Sequence, residues 1–251
     1  MAELCAESFA PWSEKARWAL DHHGVAYRYR EYVPMLGEPW LRLRLKQPSG
    51  RVTVPVLFHE GAAFRDSLAI AEHAERVGSG APLLPSDLRD RVFWWNEQSE
   101  RALTANRVRV VVRMAQVSGA KAEALPAEIP DGLRPLLAGS TALALAFLRW
   151  KYALGTNTAA SNATVRASLE ELRRALGGKP YLLGALSYAD ITMAVVLQGV
   201  KPVADNYIPL GRATREVWSN HELARDFGDL VEWRDELYAR HRRVPASGTS
   251  T

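Results

Sequence analysis

The hydrophobic and polar positions of this chain change their spacing after residue 78. Before it, Leu4-Cys5-Ala6 is a short apolar run, and residues 27–32 alternate aromatic and charged side chains with the period of a strand. Between them, a segment that begins at Ser13 has helical spacing, and Gly24 ends it because glycine is favoured just after a helix. The pattern predicts strand, helix and strand in that order.

Two more strands and a further helix complete this part of the chain. Residues 52–58 and 62–64 flank the turn His59-Glu60-Gly61 and predict a β-hairpin. A helix is predicted over Ser67–Val77 because its apolar residues share one face; these are Ile70, Ala71, Ala74 and Val77. The predicted order of elements is β-α-β-α-β-β-α.

The rest of the chain has only helical spacing. Residues 78–82 break the pattern with glycine and proline, which predicts a domain boundary. Helices are then predicted over residues 86–118, 143–154, 164–176, 188–200 and 223–240. We expect an α/β domain of residues 1–78, a linker of 79–88, an all-α domain of 89–243 and a disordered tail of 244–251.

Composition points to a water-soluble protein of the cytoplasm. Hydrophobic residues make up 47% of the 251 residues and charged residues 24%, which is ordinary for a globular protein. No apolar run approaches the roughly 18 residues that a membrane span needs, and the N-terminus lacks the pattern of a secretion signal. Cys5 is the single cysteine, so we expect a reducing compartment and a buried, inert thiol.

The net charge of +4 argues for a small anionic ligand rather than for nucleic acid. The arginines alternate with acidic residues and form no basic block, so we expect no nucleic-acid partner. A mildly positive cleft would attract small anionic substrates. The histidines lack the spacing of metal ligands, so no metal site is expected.

Four motifs together carry a resemblance to a known family. They are Pro11-Trp12-Ser13-Glu14-Lys15-Ala16-Arg17 at the first helix, Val54-Pro55, Asp66-Ser67, and Ser187-Tyr188-Ala189-Asp190 before the apolar run 191–197. In this order, with the domain break between the third and the fourth, the chain resembles the glutathione transferase superfamily over residues 4–242. Residues 229–238 are similar to a bacterial branch of it. The resemblance implies a thioredoxin-like domain, an all-helical domain, a homodimer, and glutathione as co-substrate.

The resemblance also implies a Tyr, Ser or Cys near the first helix that hydrogen-bonds the sulfur of glutathione. The first tyrosine is Tyr27, which is too far along the chain, and Ala10 stands where many members carry Cys or Ser. Ala10 therefore argues against omega-like thiol chemistry. Ser13 is our first choice for the sulfur-bonding residue and Ser8 the second; the alternatives are that Ser13 only caps the helix, or that backbone N–H groups act alone.

Further residues would hold the rest of the tripeptide. By resemblance, Val54-Pro55 is a cis peptide whose backbone pairs with the cysteinyl part, although an edge-strand proline is an alternative. Asp66-Ser67 would bind the γ-glutamyl group at a helix start, or serve only as a cap. Trp12 lies beside the sulfur site, and the loop 46–51, including Arg51, supplies cations for the glycyl carboxylate.

The second domain contributes a substrate pocket and a structural motif. Trp94, Trp95, Arg109 and Arg113 lie on the first long helix, which borders both the acceptor pocket and the dimer interface in the superfamily. Alternatively, the tryptophans are core residues and the arginines a solvated face. Ser187 and Asp190 form a predicted capping box whose role is folding.

The expected function is conjugation of the glutathione thiolate to a small hydrophobic electrophile in a cytosolic homodimer, without metal or redox cofactor. A non-catalytic binding protein of the same fold is the first alternative, and Ala10 supports it. The second is a specialised glutathione-dependent lyase, dehalogenase or isomerase. The stretch 119–140, rich in Pro and Ala, could shape the pocket for such a role.

Overall fold

The computed structural model describes residues 1–123 and 134–243. The predicted tail, residues 244–251, lies outside the described residues, as do residues 124–133 of the Pro- and Ala-rich stretch.

The N-terminal domain is built on a four-stranded mixed sheet with the order β2-β1-β3-β4. Its strands are β1 (Ala2–Ala6), β2 (Tyr27–Glu31), β3 (Val56–His59) and β4 (Ala62–Arg65). β1 runs parallel to β2 and antiparallel to β3, and β3 and β4 form the predicted hairpin. Parallel strands need a crossover connection, which the first helix provides.

Three helices cover this sheet: α1 (Pro11–His22), α2 (Glu38–Leu45) and α3 (Ser67–Val77). α1 and α3 pack together, and Leu20 of α1 and Ile70 of α3 are completely buried with Leu4 of the sheet. Leu41 of α2 belongs to a separate cluster with Cys5 of β1. The predicted order of elements and the thioredoxin-like α/β domain are confirmed.

Everything described after α3 is helical. The helices are α4 (Arg89–Gln116), α5 (Ala120–Glu123), α6 (Arg134–Lys151), α7 (Thr158–Leu176), α8 (Tyr188–Val196), α9 (Arg212–Trp218), α10 (His221–Asp226) and α11 (Gly228–His241). α8 is buried over its whole length and lies at the centre of the helical core. A helix that is apolar on all sides fits such a position.

Several helix bounds differ from those predicted, and α6 and α7 begin earlier, at Arg134 and Thr158 rather than at residues 143 and 164. The predicted helix 223–240 is two helices, because Asn220 caps α10 through the N–H of Leu223 and buried Phe227 leaves helical geometry before α11 begins. α8 gives way to a 3-10 turn, Leu197–Gly199, where a Cβ on Gly199 would overlap the side chain of Asn106. α9 was not expected, because its seven residues carry little periodic pattern.

Buried charges join α1 to the end of α11. Glu14 is fully buried, and its carboxylate accepts hydrogen bonds from Arg17 at 2.6 Å and from Nε of Arg242 at 2.7 Å. Arg242, which follows α11, also pairs with Asp21. Burial raises the pKa of Glu14, but Arg242 and Arg17 outweigh it and bring that pKa below its usual value.

A second buried cation joins α1 to α4. The ammonium of Lys15 is fully buried and donates to Ser99 Oγ at 2.7 Å, Glu100 Oε1 at 2.8 Å and Asn96 Oδ1 at 3.2 Å. Burial lowers the pKa of Lys15, and Glu100 opposes that effect. Because all three donors of the ammonium are satisfied by α4, the two helices are fixed at this crossing.

Glu14→Gln should destabilise the protein by about 3 kcal/mol, because two buried arginines lose their shared charge partner. The lowered pKa of Glu14 means that its contribution is present above the unfolded-state value of about 4.3 and is lost as pH falls through the folded-state value. Urea unfolding should therefore show a weaker acid dependence for the variant than for the wild type.

The matched control is Glu236→Gln, which breaks an exposed pair with Arg240 and should cost less than about 0.5 kcal/mol. Equal losses in the two variants would contradict the role of Glu14.

The predicted capping box at the start of α8 is confirmed. Asp190 accepts the N–H of Ser187 at 2.9 Å and the N–H of Leu182 at 2.8 Å, and all three residues are buried. The N–H of Tyr188 donates to Leu83, which ties the linker between the domains to the same turn. The capping box therefore fixes the start of α8 and holds the linker residue Leu83 against it.

Ser187→Ala should lower the free energy of unfolding by about 1 kcal/mol, because the start of the central helix loses its cap. Chemical denaturation measures this loss, with Ser118→Ala, at an exposed serine, as the control. A variant as stable as the control would show that the box contributes nothing.

Candidate functional site

The start of α1 meets the helical region where Trp12 and Tyr152 both contact Arg107 of α4, and we call this junction, bounded by Trp12, Arg107 and Tyr152, the cleft. Ala10 is the N-cap residue of α1, has extended backbone angles, and offers no side-chain cap. Pro11 occupies the first turn, where proline is favoured because its missing N–H would have no partner. The expectation that the helix starts at Ser13, and that Ser13 is its cap, is therefore wrong by two to three residues.

Ser13 lies inside the domain. Its side chain is completely buried, and its hydroxyl oxygen accepts the N–H of Glu7 at 3.2 Å. It is held under the loop between β1 and α1 and does not face the cleft. The structure therefore does not support Ser13 as the residue that bonds a ligand sulfur.

Ser8 is half-buried in the same loop, and its backbone is held at both ends. Its N–H donates to Glu31 Oε1 at 3.0 Å, and its carbonyl accepts Nη2 of Arg17 at 2.7 Å. The loop is therefore shaped by charged side chains from β2 and α1. At the cap position itself, Ala10 can present only backbone groups to a ligand.

The peptide bond Val54-Pro55 is cis, as expected. Pro55 is buried and Val54 is half-buried, and the pairing of β3 with its neighbours begins only at Val56. The backbone of Val54 thus lies outside the ladder. Because Cys5 of β1 pairs with Val56, this segment lies beside the end of β1 that leads into α1.

Asp66-Ser67 lies next to this segment at the start of α3. The N–H of Asp66 donates to the carbonyl of Pro55 at 3.3 Å, and its Oδ1 accepts the N–H of Ala69 at 2.9 Å. The capping role of Asp66 is confirmed. Its side chain is exposed, whereas Ser67 is 2% exposed.

Trp12 and Arg51 flank the contact between Arg107 and Tyr152. The indole N–H of Trp12 donates to Glu100 of α4 at 2.7 Å, so this side chain bridges the two domains. Arg51 is exposed, and its guanidinium carbon lies 5.6 Å from the ring centroid of Tyr152. Arg51 is therefore accessible to a ligand, whereas Trp12 is half-buried.

The predicted pocket residues of α4 are mostly engaged elsewhere. Trp95 is buried in the helical core and Trp94 is on the surface, with their rings edge to face. Arg109 is buried and donates to four backbone carbonyls, those of Gly199, Val217, Trp218 and Ser219. Arg113 pairs with Glu216 at 2.8 Å. The structure does not bring these four residues to the cleft.

Sequence reasoning missed the residue of α4 that does reach the cleft. The guanidinium carbon of Arg107 lies 4.0 Å from the ring centroid of Trp12 and 4.0 Å from that of Tyr152. A signal was available, because Arg107 follows Glu100 by two helical turns and therefore shares its face. The contact with Tyr152, which follows α6, had no such signal.

Residues 1–123 and 134–243 contain neither a metal-binding cluster nor a membrane-spanning helix. In that part of the chain, no group of three or more His, Cys, Asp or Glu side chains is arranged to hold a metal ion. No helix there has the length and apolar character to cross a membrane.

The sequence of the N-terminal domain matches known proteins. Residues 9–77 match the family model described as the N-terminal domain of glutathione S-transferase. A probable glutathione S-transferase of Solanum tuberosum is 32% identical over 99 residues, which is 38% of this chain and 44% of that protein. One of Nicotiana tabacum is 33% identical over 89 residues, or 34% and 39% of the two chains. The matched segments thus span less than half of these relatives.

The whole fold is similar to solved structures. The β-etherase LigF of Sphingobium sp. strain SYK-6 superposes with a TM-score of 0.63 at 20% identity over 95% of both chains. Glutathione transferase GSTFuA2 of Phanerochaete chrysosporium gives 0.65 at 14% identity, over 97% of this chain and 98% of that one. A glutathione S-transferase of Methylobacillus flagellatus, solved with glutathione bound, gives 0.59 at 14% identity over 95% of both chains.

These likenesses establish the fold as that of glutathione transferases, a thioredoxin-like domain followed by a helical region. Together with the matched N-terminal domain, they support the glutathione S-transferase superfamily.

Ser13→Ala should lower the free energy of unfolding by about 1 kcal/mol, because the buried N–H of Glu7 loses its acceptor. Affinity for glutathione, followed by calorimetric titration, should stay within about twofold of the wild type. Ser86→Ala, at an exposed serine, is the control for stability. Loss of glutathione binding without loss of stability would restore Ser13 to the ligand site.

Proposed function

We propose that this chain is a glutathione transferase that holds the tripeptide between Val54-Pro55, Asp66-Ser67 and the start of α1. The observation that carries the proposal is the convergence of these three features at one edge of the sheet. β1 ends beside Val56, and the N–H of Asp66 donates to the carbonyl of Pro55. Backbone groups outside the ladder and two helix starts thus meet where an extended peptide would lie.

The γ-glutamyl end binds at the start of α3 in this proposal. Helix starts present N–H groups that suit a carboxylate, and Ser67 adds a hydroxyl. The exposed carboxylate of Asp66 accepts from the ammonium group. Asp66 and Ser67 together therefore provide partners for both the ammonium and the carboxylate of the γ-glutamyl group.

The remaining two parts of the tripeptide extend along the sheet edge. The cysteinyl part pairs with the free backbone groups of Val54 as an added strand. The glycyl carboxylate reaches the exposed loop that contains Lys46 and Arg51. Because Arg51 is exposed, its pairing with a carboxylate would contribute modestly to affinity.

The sulfur lies at the first turn of α1, where backbone N–H groups stabilise the thiolate. A helix start contributes about 0.3–1 kcal/mol to a nearby anion, and each unit of pKa corresponds to about 1.4 kcal/mol. With alanine at position 10, the thiol pKa of bound glutathione should therefore fall by no more than about one unit. Ser8, in the loop before α1, places a side-chain hydroxyl two residues before Ala10.

The reaction is a nucleophilic substitution or addition. The thiolate sulfur forms a bond to an electrophilic carbon, and in a substitution the leaving group departs with the bonding electron pair. Holding the two reactants together supplies most of the rate enhancement, since activation of the sulfur is modest. The weak activation expected at Ala10 also favours the second candidate, a binding protein without turnover.

The assembly and location in this proposal are a homodimer in the cytoplasm. The exposed Trp94 on α4 supports a dimer interface at that helix, and the single cysteine, Cys5, is typical of a reducing compartment.

Ser67→Ala should weaken glutathione binding about tenfold, because the carboxylate loses one hydrogen bond of the charge-assisted kind. Calorimetric titration measures this, and Ser13→Ala is the matched control, since both are buried serines in the first turn of a helix. Conjugation of an aryl halide, followed by absorbance, then separates the candidates. Binding with turnover supports a transferase, and binding alone supports the second candidate. No binding by the wild type would overturn both.

A further inference from the structure

Arg107 is held between two aromatic rings from different parts of the chain. Its guanidinium carbon lies 4.0 Å from the centroid of Trp12 in α1 and 4.0 Å from that of Tyr152 after α6. At these distances the guanidinium makes a cation–π contact with each ring, and its N–H donors lie in the plane of the group.

Those donors have no partner within the described part of the chain, where Arg107 takes part in no hydrogen bond or ion pair. Its side chain is half-buried. Burial lowers the pKa of Arg107, while Tyr152, Glu7 and Glu100 oppose that effect. The group stays charged at any physiological pH, because arginine in proteins is not deprotonated. A stacked, charged fork with free donors is suited to a planar oxyanion.

The neighbouring charges leave a positive balance at this place. Lys151 pairs with Glu38 at 2.7 Å, and Glu100 pairs with Lys15, so these four charges cancel. Arg51, beside Tyr152, is assigned above to the glycyl carboxylate of glutathione, so Arg107 is the cation that is left for a second anion.

Glu7 is the remaining acidic group that acts on Arg107. Loss of hydration raises the pKa of Glu7 to about 7, with Arg107 opposing that effect. Near neutral pH this carboxyl is therefore only partly ionised. It therefore neutralises Arg107 only in part.

The loop before α1 carries an exposed aromatic side chain. Phe9, in the loop before α1, is 37% exposed and lies edge to face with Trp218 of α9, with 6.4 Å between centroids. Phe9 therefore offers an aromatic surface three residues before Trp12, whose ring contacts Arg107. Aromatic rings stack favourably on such surfaces.

We propose that Arg107 is the specificity-determining residue of the acceptor half of the cleft, pairing its free N–H donors with a carboxylate carried by an aromatic electrophile. This rests on the proposed function, because it assigns the second substrate of that site. It also replaces the expected acceptor, a purely hydrophobic electrophile, with an anionic one. The competing possibility is that Arg107 binds the glycyl carboxylate of glutathione itself.

The first test compares two acceptors that differ only in charge, a chloronitrobenzoate and the corresponding chloronitrobenzamide. In both, the sulfur bonds to the ring carbon and chloride departs. Arg107→Met should raise KM for the acid about tenfold or more and leave KM for the amide and for glutathione unchanged. Arg107→Lys should restore only part of the loss, because an ammonium cannot form the paired bonds of a guanidinium.

The control is Arg101→Met, on the exposed side of the same helix, which should change none of these constants. An equal rise of KM for acid and amide would overturn the proposal, and so would a rise of KM for glutathione. Circular dichroism and the urea midpoint of Arg107→Met, compared with those of the wild type, show whether the variant is folded.

The second test needs no turnover. Calorimetry compares binding of S-(carboxybenzyl)glutathione and S-benzylglutathione to the wild type and to Arg107→Met. If the wild type binds S-(carboxybenzyl)glutathione more tightly than S-benzylglutathione and Arg107→Met does not, the role of Arg107 is supported. If neither acceptor reacts in the first test, that role still stands and only the transferase proposal fails. If glutathione conjugates bind but the carboxylate gives no advantage, the inference fails and the transferase proposal stands.

Discussion

The cleft depends on charges that α1 buries rather than exposes. Glu14 and Lys15 are fully buried, and each is paired with a residue of the helical domain, Arg242 and Glu100 respectively. Because an unpaired buried charge is very costly, the two domains can satisfy these groups only in one relative orientation. That orientation sets the start of α1 against the face of α4 that carries Arg107. The proposed ligand site thus depends on the buried ion pairs of Glu14 and Lys15.

Much of the fold could be predicted from sequence because its signals are local. The hairpin, the helix that starts at Ser67, the cis peptide and the capping box at Ser187 each depend on a few adjacent residues. The start of α1 was misplaced because serine was taken as the cap, whereas Pro11 in the first turn puts Ala10 there. The split before α11 depends on the buried Phe227, whose position reflects tertiary packing.

The position of Arg107 also depends on tertiary packing, so it could not be predicted from the sequence. Helical spacing shows which arginines of α4 share a face, but not which face meets the other domain. Arg109 and Arg107 are two residues apart and therefore point in very different directions. One satisfies backbone carbonyls inside the helical domain, and the other lies between rings in the cleft. Only long-range contacts distinguish them.

The central claim is that the first turn of α1, with no side-chain donor at Ala10, supplies the positive end that meets the sulfur of glutathione. The most direct test is a pH titration of the thiolate absorbance of glutathione bound to the wild-type protein. The account predicts a thiol pKa below the free value of about 8.5, by no more than about one unit. A bound thiol with an unchanged or higher pKa would contradict it.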